Sequence, residues 1–165
     1  MLLSVAGNDT TRNSISITTK AFQDFPAQRE LLLEDFDGRI KPAIEEFVRW
    51  ASPVMTFRRT ATQDTVLGGQ EIKAGEWVAM IYSSGNRDEK VFERPNEFDI
   101  TRSPNPHVGF GGGGPHFCMG SFVAKMQLQE IFDQLLHRAP TLKVGEPECL
   151  TGNFVRAVKS MPYTL

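Results

Sequence analysis

Cysteine is scarce: Cys118 and Cys149 are the only two in 165 residues, and no CxxC pair occurs. That count excludes a disulfide scaffold and a structural zinc site, and a reducing cytoplasm is the expected setting. Surplus charge is missing as well. Eighteen Lys and Arg stand against twenty Asp and Glu, a net charge of -2, so no overall cationic field draws the chain to nucleic acid or anionic lipid. Long apolar runs are also lacking. The opening Met1-Leu2-Leu3-Ser4-Val5-Ala6-Gly7 has no basic flank and is cut short by Asn8, Asp9 and Arg12, so it is read neither as a signal peptide nor as a membrane span.

What is present is an ordinary globular composition, 40% hydrophobic and 23% charged. A chain of this length buries roughly 70% of its unfolded surface, and one soluble folding unit is expected. Met1, Leu2 and Leu3 follow no N-cap, so the helix expected over 1–20 begins partway along, and the sequence reads as the later part of a longer one. Further helices are expected over 26–51: one from Pro26 to Phe36 with Asp37-Gly38 as its stop, and one from Pro42 to Trp50 ended by Ser52-Pro53. The runs Val54 to Phe57, Thr65 to Leu67 and Trp77 to Tyr82, punctuated by Gly68-Gly69 and Ala74-Gly75, predict a small antiparallel sheet over 54–82. Residues 86–117 show no sustained period, and irregular segments of that length are often functional. A helix over 118–138 follows, its apolar side read as Phe122, Met126, Ile131, Leu135 and Leu136. The remainder, 141–165, reads as two or three short strands. The expected class is therefore mainly α with small β-sheets.

The most informative stretch runs from Gly109 through Phe110-Gly111-Gly112-Gly113-Gly114-Pro115-His116-Phe117 to Cys118-Met119-Gly120. A glycine-rich loop here delivers one cysteine to a helix start, where backbone N–H groups favour an anion and so a thiolate. A single thiolate without a CxxC partner suits haem iron better than zinc or an iron–sulfur cluster. The plain alternative is a buried, inert cysteine. A dinucleotide loop, Gly109-x-Gly111-x-x-Gly114, is a formal alternative, but Ser103-Pro104-Asn105-Pro106-His107 stands where a buried strand is required. No Gly-Lys-Ser/Thr follows the glycines to cradle phosphate either.

Two other segments carry possible chemistry. In Ala6-Gly7-Asn8-Asp9-Thr10-Thr11, hydroxyls turning back on carbonyls would bend a helix, and a widened turn lined by Asp9 and Thr10 would hold water and pass protons. A polar helix face is the competing reading. Glu46 and Arg49, at i and i+3, form either a solvated surface pair or a buried one whose guanidinium pins carbonyls of the irregular segment. Arg58 and Arg59 end a strand and are either solvated or paired with an anionic group.

In this order the three segments resemble the cytochrome P-450 family of haem-thiolate monooxygenases, across essentially the whole chain. The resemblance implies the C-terminal portion of that fold, from the middle of the distal helix onward. It implies Cys118 as the iron ligand of haem b, with His116 and Arg59 on the propionates and Phe110, Gly112 and Gly120 in the cofactor loop. Asp9 and Thr10 become the proton-delivery pair. Glu46 and Arg49, with Arg102 as third member, become a structural lock, and Val54, Met55, Phe57 and Phe154 become substrate contacts. Dioxygen, a ferredoxin and its ferredoxin reductase supplied by NAD(P)H are implied as partners, with Lys125 and Arg138 as candidate ferredoxin contacts. One departure is visible: Phe110 lies eight residues before Cys118, where the family commonly has seven, and Gly111 takes the usual place. That extra glycine, together with Arg49-Trp50-Ala51-Ser52-Pro53-Val54 and Pro104-Asn105-Pro106-His107, is similar to actinobacterial enzymes that hydroxylate terminal methyl groups of branched lipids and sterol side chains. The family fold is far longer than this chain. The isolated chain is accordingly expected to expose an apolar face and to bind haem weakly if at all, and the alternative is a truncated, non-catalytic haem-binding remnant.

Overall fold

The structure, a computed structural model, describes residues 6–165. Leu2, Leu3 and Val5, part of the helix expected over 1–20, lie outside the described residues. Three helices build the centre: α1 (Asp9–Asp24), α2 (Pro26–Glu34) and α3 (Phe36–Ala51). Helix α1 runs past residue 20 because Ala21 and Phe22 are core residues. Asp37 and Gly38 do not stop a helix. Asp35 caps α3 by accepting the Gly38 N–H at 3.1 Å, so Asp37-Gly38 form its first turn and Pro42 lies inside it. Ile40, Ala43, Ile44 and Phe47 bury one face of α3 through that proline, and their burial outweighs the missing N–H.

The chain then turns at Ser52, buried with φ 41. Strand β1 (Thr56–Thr60) pairs antiparallel with β4 (Trp77–Ile81), while β2 (Thr65–Leu67) and β3 (Gln70–Ile72) form a separate hairpin across Gly68-Gly69. Both glycines have positive φ, 57 and 85, as a two-residue hairpin loop requires. The expected single sheet is thus two, and Val54 contributes only an isolated bridge to Val155. After the short helix α4 (Tyr82–Gly85), residues 86–120 hold no strand and one 3-10 turn, Gly114–His116. Helix α5 (Ser121–Arg138) follows, beginning three residues later than expected. The tail forms four short strands rather than two or three, β5 (Lys143–Val144) with β8 (Tyr163–Thr164) and β6 (Glu148–Cys149) with β7 (Val158–Ser160).

Helices α1, α3 and α5 enclose the core. Phe22 is its centre, edge-on to Phe47 and Phe98 at 5.5 Å each and to Phe132 at 5.8 Å. The buried side of α5 is Leu128, Phe132 and Leu136, one per turn. Three of the residues expected there face outward instead: Phe122 is 73%, Met126 57% and Ile131 38% exposed, beside Met119 at 85%. Two apolar stripes share this helix, and only one meets the Phe22 cluster. Mixed helix with small sheets is the observed class. Among the described residues no helix is long and apolar enough to cross a membrane.

Candidate active site

The irregular segment is held by charge. Glu46 and Arg49 are both fully buried. All five guanidinium N–H groups of Arg49 are used: Nε and Nη2 donate to Glu46 Oε2 and Oε1 at 2.7 Å each, Nη1 to the carbonyls of Asn86 and Pro95, and Nη2 to that of Glu97. Glu46 also accepts from Asp99 N, Arg102 Nε and Asn105 Nδ2. One ion pair thus fixes six points of the loop, with the charge on each side met by hydrogen bonds. Asn86, which the sequence did not single out, is equally central. Its Nδ2 donates to Ser52 Oγ at 2.9 Å, while its Oδ1 accepts the Val108 N–H at 2.8 Å, tying the end of α3 to the stretch of loop that precedes the glycines.

Beyond Val108 the backbone is pressed against α3. A side chain on Gly109 would meet Val48 Cγ1 at 2.5 Å, so glycine is required there. Gly111, Gly113 and Gly114 have φ between 73 and 95, a region costly for other residues. The loop doubles back so that Phe110 O accepts the Cys118 N–H at 2.9 Å. Cys118 itself is exposed; it is not a buried, inert thiol. No strand precedes the glycines and no long helix starts directly after them, which removes the nucleotide-loop alternative. Gly120 is the N-cap of α5, and a Cβ placed there would lie 4.0 Å from the Cys118 sulfur, an ordinary contact.

A cavity of about 430 Å³ lies beside the loop, lined by Arg59, Met80, Tyr82, Gly111, Gly112 and His116 among others. Arg59 and His116, distant in sequence, meet there. Phe57 packs edge-on against Phe154 at 5.3 Å and against Tyr82 at 6.2 Å. Met55 N–H donates to Phe154 O at 2.8 Å, and Val54 bridges Val155, so the segment carrying Val54, Met55 and Phe57 runs beside the one carrying Phe154. On α1, Thr10 Oγ donates to Ala6 O at 2.7 Å across the Gly7-Asn8 turn, and Ser14 Oγ donates to Thr10 O at 2.8 Å. Asp9 is exposed, with Arg12 Nη2 at 3.7 Å. Lys125 is not a free cation, since its Nζ pairs with Glu45 Oε1 at 2.5 Å; Arg138 is exposed in the last turn of α5.

An exposed thiol offers one ligand only, and among the described residues no group of three or more His, Cys, Asp or Glu side chains gathers round an ion. The residues present fit the haem that the resemblance implies: one sulfur on an open loop, with Arg59 and His116 lining the adjacent cavity, where they would take its carboxylates. The cytochrome P-450 family model matches residues 40–145. The chain belongs to the cytochrome P-450 family. A methyl-branched lipid omega-hydroxylase of Mycobacterium tuberculosis is 47% identical over 165 residues, 99% of this chain and 39% of that protein. A steroid C26-monooxygenase of Rhodococcus jostii is 47% identical over 160 residues, 96% of this chain and 33% of that protein. A Mycobacterium marinum cytochrome P-450 in complex with pseudoionone superimposes with a TM-score of 0.98 at 59% identity, covering 99% of this chain and 40% of that one. The chain thus spans about two fifths of the length of the P-450 proteins it matches.

Proposed function

We propose that these residues form the proximal and distal parts of a haem-thiolate monooxygenase, with Cys118 as the iron ligand. The observation that carries this reading is the exposed Cys118 on a glycine loop beside a cavity containing Arg59 and His116. Members of the family carry haem and draw electrons from redox partners; here haem b, a ferredoxin, its reductase and NAD(P)H in the cytoplasm are the proposed set. When bound, haem supplies dioxygen activation, one oxygen atom entering a C–H bond and the other leaving as water at the expense of two electrons and two protons.

This chain's own residues have narrower tasks. The loop amide of Cys118 is fixed by Phe110 O, which orients the sulfur. Arg59 and His116 would hold the haem propionates, and Gly112, with no side chain, would leave the cavity wall open to the ring. Thr10, held by its own hydroxyl proton on Ala6 O, keeps oxygen lone pairs free to accept from water, and Asp9 next to it exchanges protons with solvent. Glu46, Arg49 and Arg102 keep the loop in place. Val54, Met55, Phe57 and Phe154 present an apolar wall to hydrocarbon. The named relatives act on methyl-branched lipids and steroids, and terminal-methyl hydroxylation of a branched lipid or sterol side chain is the proposed reaction.

The test is the reduced, carbon-monoxide-bound protein. A thiolate-type absorbance band that disappears in Cys118→Ala is expected, and its absence from the unsubstituted protein overturns the reading. Haem binding with no product from any branched lipid or sterol would instead point to the non-catalytic alternative.

A further inference from the structure

Glu45 stands beside the buried Glu46 but serves a different group of residues. Its Oε2 accepts from His107 Nε2 at 2.9 Å and its Oε1 from Lys125 Nζ at 2.5 Å. Three separate segments meet on this carboxylate: helix α3, the loop before the glycines and helix α5. These two partners hold the Glu45 carboxyl below its ordinary value, the His107 hydrogen bond contributing most.

The other edge of the imidazole is occupied too. Gly109 N–H donates to His107 Nδ1 at 3.1 Å. A backbone amide has only a proton to give, so Nδ1 is the acceptor and the ring hydrogen sits on Nε2, toward the carboxylate. The His107 side chain is 5% exposed, which leaves this arrangement little competition from water. Phe110 completes the group, its ring 5.8 Å from the imidazole and 5.4 Å from the Lys125 ammonium. Its carbonyl is the acceptor for the Cys118 amide. A continuous path of contacts therefore runs from Glu45 through His107 and Gly109-Phe110 to the peptide of the cysteine.

We propose that Glu45, His107 and Lys125 form a clamp that sets the position of the Cys118 loop, with His107 as a positioning residue in its Nε2–H tautomer. The clamp rests on the haem-thiolate reading, and it adds residues that the proposed chemistry does not use. The contact between Gly109 and Val48 leaves the loop no slack on the α3 side, so losing the His107 bond moves Phe110 and Cys118 along the surface of α3 rather than into it.

Two measurements on the haem-loaded protein test the clamp. In the reduced, carbon-monoxide-bound state, His107→Leu is expected to raise the share of neutral-thiol ligation about threefold, the size of one lost neutral hydrogen bond. His107→Asn, whose side-chain oxygen takes the place of Nδ1 but does not reach Glu45, restores part of the thiolate share; His107→Gln, which reaches Glu45 but not Gly109, restores less. Equal behaviour of the Leu and Asn variants, or an unchanged share in Leu, overturns the proposal. The second measurement needs no substitution to fold: nitrogen NMR of the unsubstituted protein should show His107 with a bare Nδ1 and a protonated Nε2, and a protonated Nδ1 sinks the clamp. Should the unsubstituted protein show no thiolate-type band while His107 has the expected tautomer, the haem reading fails and the hydrogen-bond geometry stands.

Discussion

The Arg49 guanidinium and the Glu46 carboxylate, one helical turn apart on α3, meet through two hydrogen bonds of 2.7 Å with no exposure to water. Removing one partner leaves an uncompensated buried charge. Glu46→Gln or Arg49→Ala should therefore cost about 3–5 kcal/mol. Arg49→Lys will be nearly as harmful, because three donors on a flexible stem cannot serve the carbonyls of Asn86, Pro95 and Glu97 together with both carboxylate oxygens. Urea unfolding midpoints of the three variants measure this, and a change within about 0.5 kcal/mol would mean the pair is not the lock described.

Gly109→Ala is the sharpest test of the loop's packing. The added methyl would sit 2.5 Å from Val48 Cγ1 and 3.3 Å from Val48 O, so either α3 or the loop must move. A loss of about 1–3 kcal/mol is expected, with Val48→Ala recovering part of it by opening the space. A double variant no better than Gly109→Ala alone would place the strain elsewhere.

Phe22→Ala empties the centre of the aromatic cluster. Its three edge-on neighbours, Phe47, Phe98 and Phe132, come from three different segments and cannot all relax into one gap. About 3–5 kcal/mol is expected, read from denaturant unfolding. Phe22→Leu should lose clearly less.

Acid tests Glu45. With His107 and Lys125 holding its folded value below the ordinary 4.5, Glu45 stabilises the fold above that ordinary value and loses this contribution as pH falls through the lower, folded one. Asp99 and Asp64 are shifted in the same direction, so the comparison is between the unsubstituted protein and Glu45→Gln. The variant should show a flatter decline in stability on acidification, and parallel curves would show that the carboxylate is not coupled to folding.

Helix α2 announced itself through Pro26, and the strand Thr65 to Leu67 through its apolar run and the following Gly68-Gly69. Where the reading went astray, a local signal lost to a distant contact. Asp37-Gly38 looks like a stop until Asp35 is seen capping the next helix with Gly38 N–H. On α5 the stripe through Phe122 and Met126 is as apolar as the one through Leu128 and Phe132, and only the position of Phe22 and Phe47 decides which turns inward. Glu46, Arg49 and Cys118 carry motif spacing and were legible as candidates. Asn86 and His107 were not, since each lies in aperiodic sequence and acts through bonds to residues 22 or more positions away or to a loop amide.

The outward stripe of α5 has a consequence for anyone handling this polypeptide. Met119, Phe122, Val123 and Met126 are each more than half open to solvent, a greasy ridge just after the exposed Cys118. Self-adhesion at high concentration, rather than loss of internal order, should set the working limit for the purified chain, and mild detergent will extend that limit more than added salt, which strengthens apolar contact.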